Sequence, residues 1–441
     1  MEGIELNADI LRDRKSKLAG DPKVGWLCNK NGLLLKTYRW LVKNASGIVV
    51  LIHGFQGDTQ LTFMRKKVQI IYANEGLIVF DNGYIYKDSW IEKFNRNGYS
   101  VYGLDLQGHG ESQSLGNIRD SVNCFDDLVD DVIQYLNKIQ DEISNENQVD
   151  DDISNDDKTD DESYDIVTTK KKRLPMYIVG HSMGGNIALR ILQLLGKAKE
   201  DRIKDGNSNN YKSCSTILGN STNINEIDND MHDMNNSNDC YSDNSCDSAS
   251  ATANSIVSAS GKHEGCYNYL DKLNIKGCVS LAGMIRIKVP LDSGNKLFKY
   301  FYLPIINFAS RIAPQARLLV TFRKYKAPKF SINMFKRNEL ANKNGIELKC
   351  VYELIKATVT LDCNINYMPK DIPFLIVHSK DDGVCSYEWA ESFYNKANVI
   401  KKELYPVDDM DHIITTNPGY EDILKKVIDW ISYLRMNDED E

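Results

Sequence analysis

The stretch that most limits what this chain can become is Tyr177 to Gly185, which reads Y-I-V-G-H-S-M-G-G. An apolar run, Tyr177-Ile-Val179, reaches Gly180. A serine follows two residues later, and two glycines open the helically spaced apolar stretch Asn186 to Leu195. The pattern is strand, sharp turn, helix. In G-x-S-x-G such a turn forces the serine into strained dihedrals, and the glycines leave room for the backbones that crowd it. Ser182 therefore reads as a nucleophile held up and exposed at the turn.

Apolar runs and helical spacings alternate around it. Gly25 to Cys28 and Leu34 to Trp40 read as an edge hairpin turning at Asn31-Gly32. Ile48 to His53 is a continuous apolar run, the mark of a strand buried on both faces, and leads into His53-Gly-Phe-Gln-Gly57. Residues 58–85 mix helical and strand spacing and yield no assignment. A helix from Tyr86 to Asn97 stops at Gly98, a strand from Tyr99 to Leu106 turns at Gly108-His-Gly-Glu-Ser112, and a helix runs from about Val122 to Ile139. Beyond the serine, Ile275 to Ala282, Pro373 to His378 and Lys401 to Pro406 read as strands. Residues 284–365, Tyr387 to Lys396 and Tyr420 to Leu434 read as helical. Alternation of this kind predicts a parallel sheet of right-handed βαβ units with ligands at the carboxyl ends of the strands. Ser182, His53, Asp382 and His412 all fall just past strand ends.

Two segments break the pattern. From Asp141 to Asp165 there are twelve Asp or Glu against one Lys. So few apolar residues cannot offset the entropy of ordering, which predicts a disordered insertion over about 141–173. Residues 197–268, rich in Asn, Ser and Asp, read as a second insertion. The 441-residue chain then divides into a core over 1–283, a helical segment over 284–365 and a second core part over 366–441. A net charge of −8 argues against general nucleic-acid binding. The acidic, polar opening predicts no secretory leader, and no run of eighteen apolar residues offers a membrane span. Ten cysteines without a C-x-x-C pair suit reduced thiols in a cytoplasmic protein and no metal site.

A serine hydroxyl is a poor nucleophile near neutral pH and needs a base, which in turn needs an orienting acid. The order Ser, then Asp or Glu, then His is available. Of seven histidines, only His378 and His412 follow Ser182 outside the second insertion. His378 ends a strand, whereas His412 sits on a loop free to swing over the serine and is the candidate base. Ser379-Lys-Asp-Asp-Gly-Val-Cys385 follows a strand and offers Asp381 and Asp382 as candidate acids. Asp408, Asp409 and Asp411 lie too close in sequence to His412 to reach its Nδ1. For an oxyanion the candidate donors are the backbone N–H groups of Met183, directly after the nucleophile, and Phe55. His53, His109 and His181 read as structural.

Together, His53-Gly-Phe-Gln-Gly57, Gly103-Leu-Asp-Leu-Gln-Gly-His-Gly-Glu-Ser112, Gly180-His-Ser-Met-Gly-Gly185, His378-Ser-Lys-Asp-Asp-Gly-Val-Cys385 and Asp411-His412 resemble, in order, the landmarks of the monoacylglycerol lipase and lysophospholipase branch of the α/β-hydrolases. They look most like its lysophospholipase-like members in protozoan parasites. The resemblance covers about residues 20–140, 174–196 and 270–435. It implies an α/β-hydrolase fold, mostly parallel sheet flanked by helices with a helical cap, and a triad of Ser182, Asp382 and His412. The family's spacing favours Asp382 over Asp381. Ser379 stands where the family usually has glycine.

The resemblance makes residues 284–365 the cap. From Arg286 to Lys343 it carries thirteen Lys or Arg against Asp292 and Glu339, and it includes the apolar run Leu297 to Phe308. A basic, greasy lid suits a phospholipid surface or phosphate-bearing headgroup, with each basic residue near an anionic leaflet contributing about 1 kcal/mol. The expectation is a serine esterase acting on a single-chain lipid acyl ester, with peripheral membrane contact through the cap. A broad carboxylesterase, thioesterase or amidase is the alternative, and a catalytically idle scaffold a third reading. No cofactor is implied, because Gly108-His-Gly is too short for a dinucleotide loop.

Overall fold

A computed structural model describes residues 20–71, 77–153, 173–215, 272–288, 300–301, 303–318 and 345–439. In chain order the strands are β1 (Lys23–Cys28), β2 (Leu34–Trp40), β3 (Gly47–Ile52), β4 (Arg65–Ile71), β5 (Leu77–Ile85), β6 (Tyr99–Leu104), β7 (Met176–His181), β8 (Ile275–Leu281), β9 (Arg317–Leu318), β10 (Ile346–Glu347), β11 (Phe374–Ser379) and β12 (Lys402–Val407). The helices are α1 (Thr59–Phe63), α2 (Trp90–Arg96), α3 (Phe125–Ile153), α4 (Met183–Ser215), α5 (Leu303–Ile312), α6 (Leu348–Cys363), α7 (Tyr387–Lys396) and α8 (Tyr420–Glu439).

Eight strands form one sheet in the order β1-β2-β6-β3-β7-β8-β11-β12. The first two join antiparallel, and from β6 to β12 every neighbour is parallel. β3 lies between β6 and β7, so the chain leaves it toward one side and later returns to the other. A crevice at the carboxyl end of β3 follows from that reversal.

The apolar runs explain the layers. Alternate residues of a strand face opposite sides, so a strand covered on both faces must be apolar throughout. Ile48, Val50 and Ile52 of β3 pack with Leu128, Val132 and Ile187 on one face, whereas Val49 and Leu51 pack with Trp90, Phe94, Val427 and Ile431 on the other. Met176 and Ile178 of β7 join the first cluster, and Tyr177 and Val179 the second. Helices α3, α4, α6 and α7 thus cover one face, and α2 and α8 the other.

The structure corrects the sequence reading at three places. The acidic segment does not begin an irregular insertion at residue 141, because α3 continues to Ile153. Its buried stripe of Leu128, Val129, Val132, Leu136, Ile139 and Ile143 forms the helix, and extending an existing helix carries no nucleation penalty. Likewise α4 runs through residue 197 to Ser215. The remainder of both expected insertions, 154–172 and 216–268, lies outside the described residues. Finally, the stretch between β8 and β11 is not wholly helical: β9 and β10 pair antiparallel, Arg317 with Glu347 and Leu318 with Ile346, between α5 and α6. The described residues within 58–85 form the short helix α1 and a separate β4–β5 ribbon.

Candidate active site

Strand β7 delivers Ser182 to the start of α4 through a tight turn that requires glycine on either side of it. Ser182 has φ +53°, in the left-handed region. A Cβ on Gly180 would stand 2.1 Å from the Gly184 carbonyl oxygen, and one on Gly184 would stand 2.2 Å from that of Ile52. Both positions therefore exclude any side chain. The strained serine, at about 1–3 kcal/mol, persists because its surroundings over-determine it. Its N–H donates to the Leu281 carbonyl (2.9 Å), and its own carbonyl accepts from Gly185 (2.9 Å) and Met284 (2.8 Å).

Two loops converge on the hydroxyl. His412, after β12, places Nε2 2.7 Å from Ser182 Oγ and Nδ1 2.8 Å from Asp382 Oδ2. Asp382 is fully buried, and its other oxygen accepts the N–H groups of Val384 (2.8 Å) and Cys385 (2.9 Å). Burial pushes this carboxyl up, but the neighbouring His412 and His378 outweigh it and hold the acid well below the usual range. For His412, burial pulls the imidazole down, and the charge and hydrogen bond of Asp382 lift it above its ordinary value. The adjacent Asp381 is exposed and instead accepts the Asp409 N–H at 2.9 Å. The two candidate acids thus point to different environments, and only Asp382 reaches the imidazole.

Phe55 lies on the loop after β3 and lines a cavity of about 50 Å³ with Ser182, His412, His181 and Ile413. Met183 follows the serine as the first residue of α4. The phenylalanine loop is pinned from behind. The Leu106 N–H donates to His53 Nε2 (2.9 Å), so the ring proton is on Nδ1 and goes to the Gly54 carbonyl (2.8 Å). Burial lowers that imidazole to about 3 and keeps it neutral. Asp58 caps α1 through the Leu61 N–H (2.7 Å), while Asp105 accepts Thr59 N–H (3.0 Å) and Tyr38 O–H (2.9 Å). The ring of His109 stands edge-on to Phe55, 5.5 Å between centroids. The motif Gly103 to Ser112 is thus a brace for the Phe55 loop.

Three contacts escape the sequence reading. His181 Nε2 lies 3.1 Å from the His412 carbonyl, Lys288 Nζ donates to the Asp382 carbonyl at 2.6 Å, and His378 Nε2 lies 3.3 Å from Asp382 Oδ2. The G-H-S spacing hints at the first; no local pattern points to the other two. Cys385 completes a set with Asp382 and His412 whose donor atoms lie within 4.8 Å of one another. Burial pushes its thiol well above the ordinary range, so it offers no thiolate, and the carboxylate and imidazole already bond each other. This donor set is a poor metal site.

Comparison with known proteins adds the class. A soluble variant of monoglyceride lipase from Saccharomyces cerevisiae, in complex with a substrate analog, aligns with a TM-score of 0.54 at 16% identity, over 94% of this chain and 95% of its own. A highly thermostable carboxyl esterase from Bacillus coagulans, in complex with glycerol, gives 0.50 at 14% identity over 94% and 99%. At such identities the likeness is one of fold, and with the sheet order and the turn at Ser182 it makes this an α/β-hydrolase. A family profile described as serine aminopeptidase, S33, matches residues 79–149 and 266–419, just over half of the sequence, and the chain belongs to that family. The two matched segments flank the turn that holds Ser182. A search of curated protein sequences finds no match.

Proposed function

We propose that the protein is a serine hydrolase that cleaves the acyl ester of a single-chain lipid, a lysophospholipid or a monoacylglycerol. The observation that carries the reading is the unbroken hydrogen-bonded series from Ser182 through His412 to Asp382 at the carboxyl ends of a parallel sheet. His412 takes the Ser182 proton as Oγ attacks the ester carbonyl, and it then protonates the departing alcohol. Asp382 holds the ring in the tautomer with the proton on Nδ1 and stabilises the imidazolium that forms. The N–H groups of Phe55 and Met183 receive the oxyanion, each contributing about 3–4 kcal/mol to the transition state. A water activated by His412 then cleaves the acyl-enzyme.

Residues 284–365 act as the cap in this reading. Ile305, Phe308 and Ile312, spaced along one stripe of α5, are at least half exposed among the described residues, Phe308 at 68% and Ile312 at 69%. Such a stripe, with Arg311 on the same helix, suits an acyl chain or an anionic lipid surface, while nine of the thirteen basic residues counted between Arg286 and Lys343 lie outside the described residues. Each buried methylene of the chain contributes about 0.8 kcal/mol, enough to hold an ester with few polar contacts. Among the described residues no helix is long and apolar enough to cross a membrane.

A chain-length series of esters tests the reading. Turnover that rises with acyl length and vanishes in Ser182→Ala supports it. Equal turnover of short and long esters favours the broad carboxylesterase or thioesterase. The family's description favours one further reading, hydrolysis of an amide by the same three residues. Faster cleavage of amino-acyl amides than of any ester would establish it.

A further inference from the structure

Asp382 sits between two imidazoles, and the proposed mechanism uses only one. Its Oδ1 atom has two backbone donors, Val384 and Cys385. Its Oδ2 atom faces His412 Nδ1 at 2.8 Å and His378 Nε2 at 3.3 Å. His378 is fully buried at the end of β11. The surroundings of its ring are one-sided. Nε2 meets two acceptors, the carboxylate and the Cys385 carbonyl at 3.4 Å, whereas Nδ1 is buried with no hydrogen-bond partner. An N–H left buried without an acceptor costs more than an unfilled lone pair, so the ring proton belongs on Nε2.

We propose that His378 is a positioning residue of this site: it donates its Nε2 hydrogen to Oδ2 of Asp382 and so sets how strongly that carboxylate holds the imidazole of His412. This rests on the reading of Ser182, His412 and Asp382 given above. A carboxylate oxygen shared between two donors gives less of its charge to each. His378 therefore keeps the carboxylate oriented and ionised while it moderates the basicity conferred on His412. Without it, Asp382 binds the imidazolium more tightly, and His412 stays protonated, and idle as a base, to higher pH.

The other groups facing this pair do not substitute for that donor. Asp411, next in sequence to His412, adds a second negative charge, and His181, buried and neutral, meets only the His412 carbonyl. Lys288 bonds the backbone carbonyl of Asp382, not its carboxylate. The Tyr387 ring stands edge-on to His378, 6.3 Å between centroids, and the Cys385 thiol is held protonated by burial. His378 is thus the side chain other than His412 that hydrogen-bonds the acid among the described residues.

The test is the titration of His412, read by nitrogen NMR of histidine-labelled protein, in wild type, His378→Gln and His378→Asn. The Gln amide reaches the position of Nε2, whereas the Asn amide stops at that of Nδ1. The expected result is a rise of about half to one pH unit for His412 in His378→Asn, with recovery in His378→Gln. The acidic limb of kcat/KM moves with it, so ester turnover at pH 6 falls about 3- to 10-fold in His378→Asn and little at pH 8. An unchanged His412 titration in His378→Asn, or a Gln variant that behaves as Asn does, overturns the proposal. So does a wild-type spectrum with the His378 proton on Nδ1, which needs no variant to fold. Should wild type fail to react at Ser182 while His412 still responds to His378, the proposed function fails and this inference stands.

Discussion

The Nε2 atom of His181 lies 3.1 Å from the backbone carbonyl of His412. The residue before Ser182 thereby ties down the loop that carries His412. Burial lowers the His181 imidazole to about 3, so the ring is a neutral donor to that carbonyl throughout the working pH range. Replacing it removes a tether and leaves the three reacting side chains intact. His181→Leu is expected to lower kcat on a short p-nitrophenyl ester by about 10-fold with a smaller change in KM, as for a misplaced base. Steady-state kinetics measure it, and a wild-type kcat would show that the loop holds His412 without help.

The neighbouring carboxylates should separate sharply. Asp382→Asn leaves His412 without a charged partner at Nδ1 and invites the wrong tautomer. The expected loss in kcat is about 10³- to 10⁴-fold. Asp381, exposed and bonded to the Asp409 amide, should tolerate Asp381→Asn with less than about a threefold loss. Equal losses in the two variants would contradict the assignment of the acid.

Stability should fall as pH rises toward 8, for a reason remote from the chemistry. Burial pushes Asp131 up to about 7, only partly opposed by its hydrogen bond from Asn29, and its Oδ1 atom has no partner. The folded protein then binds a proton that the unfolded chain has released, between about pH 4 and pH 7. Stability present below that range is lost as pH rises through it. Asp131→Asn keeps the shape without the charge, and thermal unfolding of the variant should be flatter across this window. An advantage on the order of a few kcal/mol at pH 8 is expected. A variant no more stable than wild type at pH 8 would contradict the shift.

Phe308 tests the lipid surface independently of the triad. Phe308→Asp places a charge on the exposed stripe of α5. Hydrolysis of a long-chain lysophospholipid in anionic vesicles should fall several-fold, with soluble short esters unaffected. Equal losses on both substrates would assign Phe308 to packing.

What could be read from the chain follows from where packing imposes a period. β3, β7 and β11 are buried along their whole length, and their apolar runs announced both the sheet and the residues just beyond its strand ends. Ser182, His412 and the Asp381-Asp382 pair were visible for that reason. The choice of Asp382 within the pair comes from the spacing of the family it resembles and not from the local pattern, because neighbouring residues in a turn differ only in which side chain turns inward. The β4–β5 ribbon escapes assignment since it pairs with itself, outside the eight-stranded sheet. The polar ends of α3 and α4 escape because composition reports what a segment does alone. Both are extensions of helices built by buried stripes earlier in the sequence. His378 reads from the sequence only as the end of a strand, and nothing local reveals that its ring faces a carboxylate four positions on.

The most direct test of the central claim is mass-spectrometric mapping of the adduct formed by a fluorophosphonate probe on the full chain. A single adduct on Ser182 is expected, absent from Ser182→Ala and slowed at least 10³-fold in His412→Ala. Labelling elsewhere, or none under conditions where the protein is folded, would contradict Ser182 as the nucleophile.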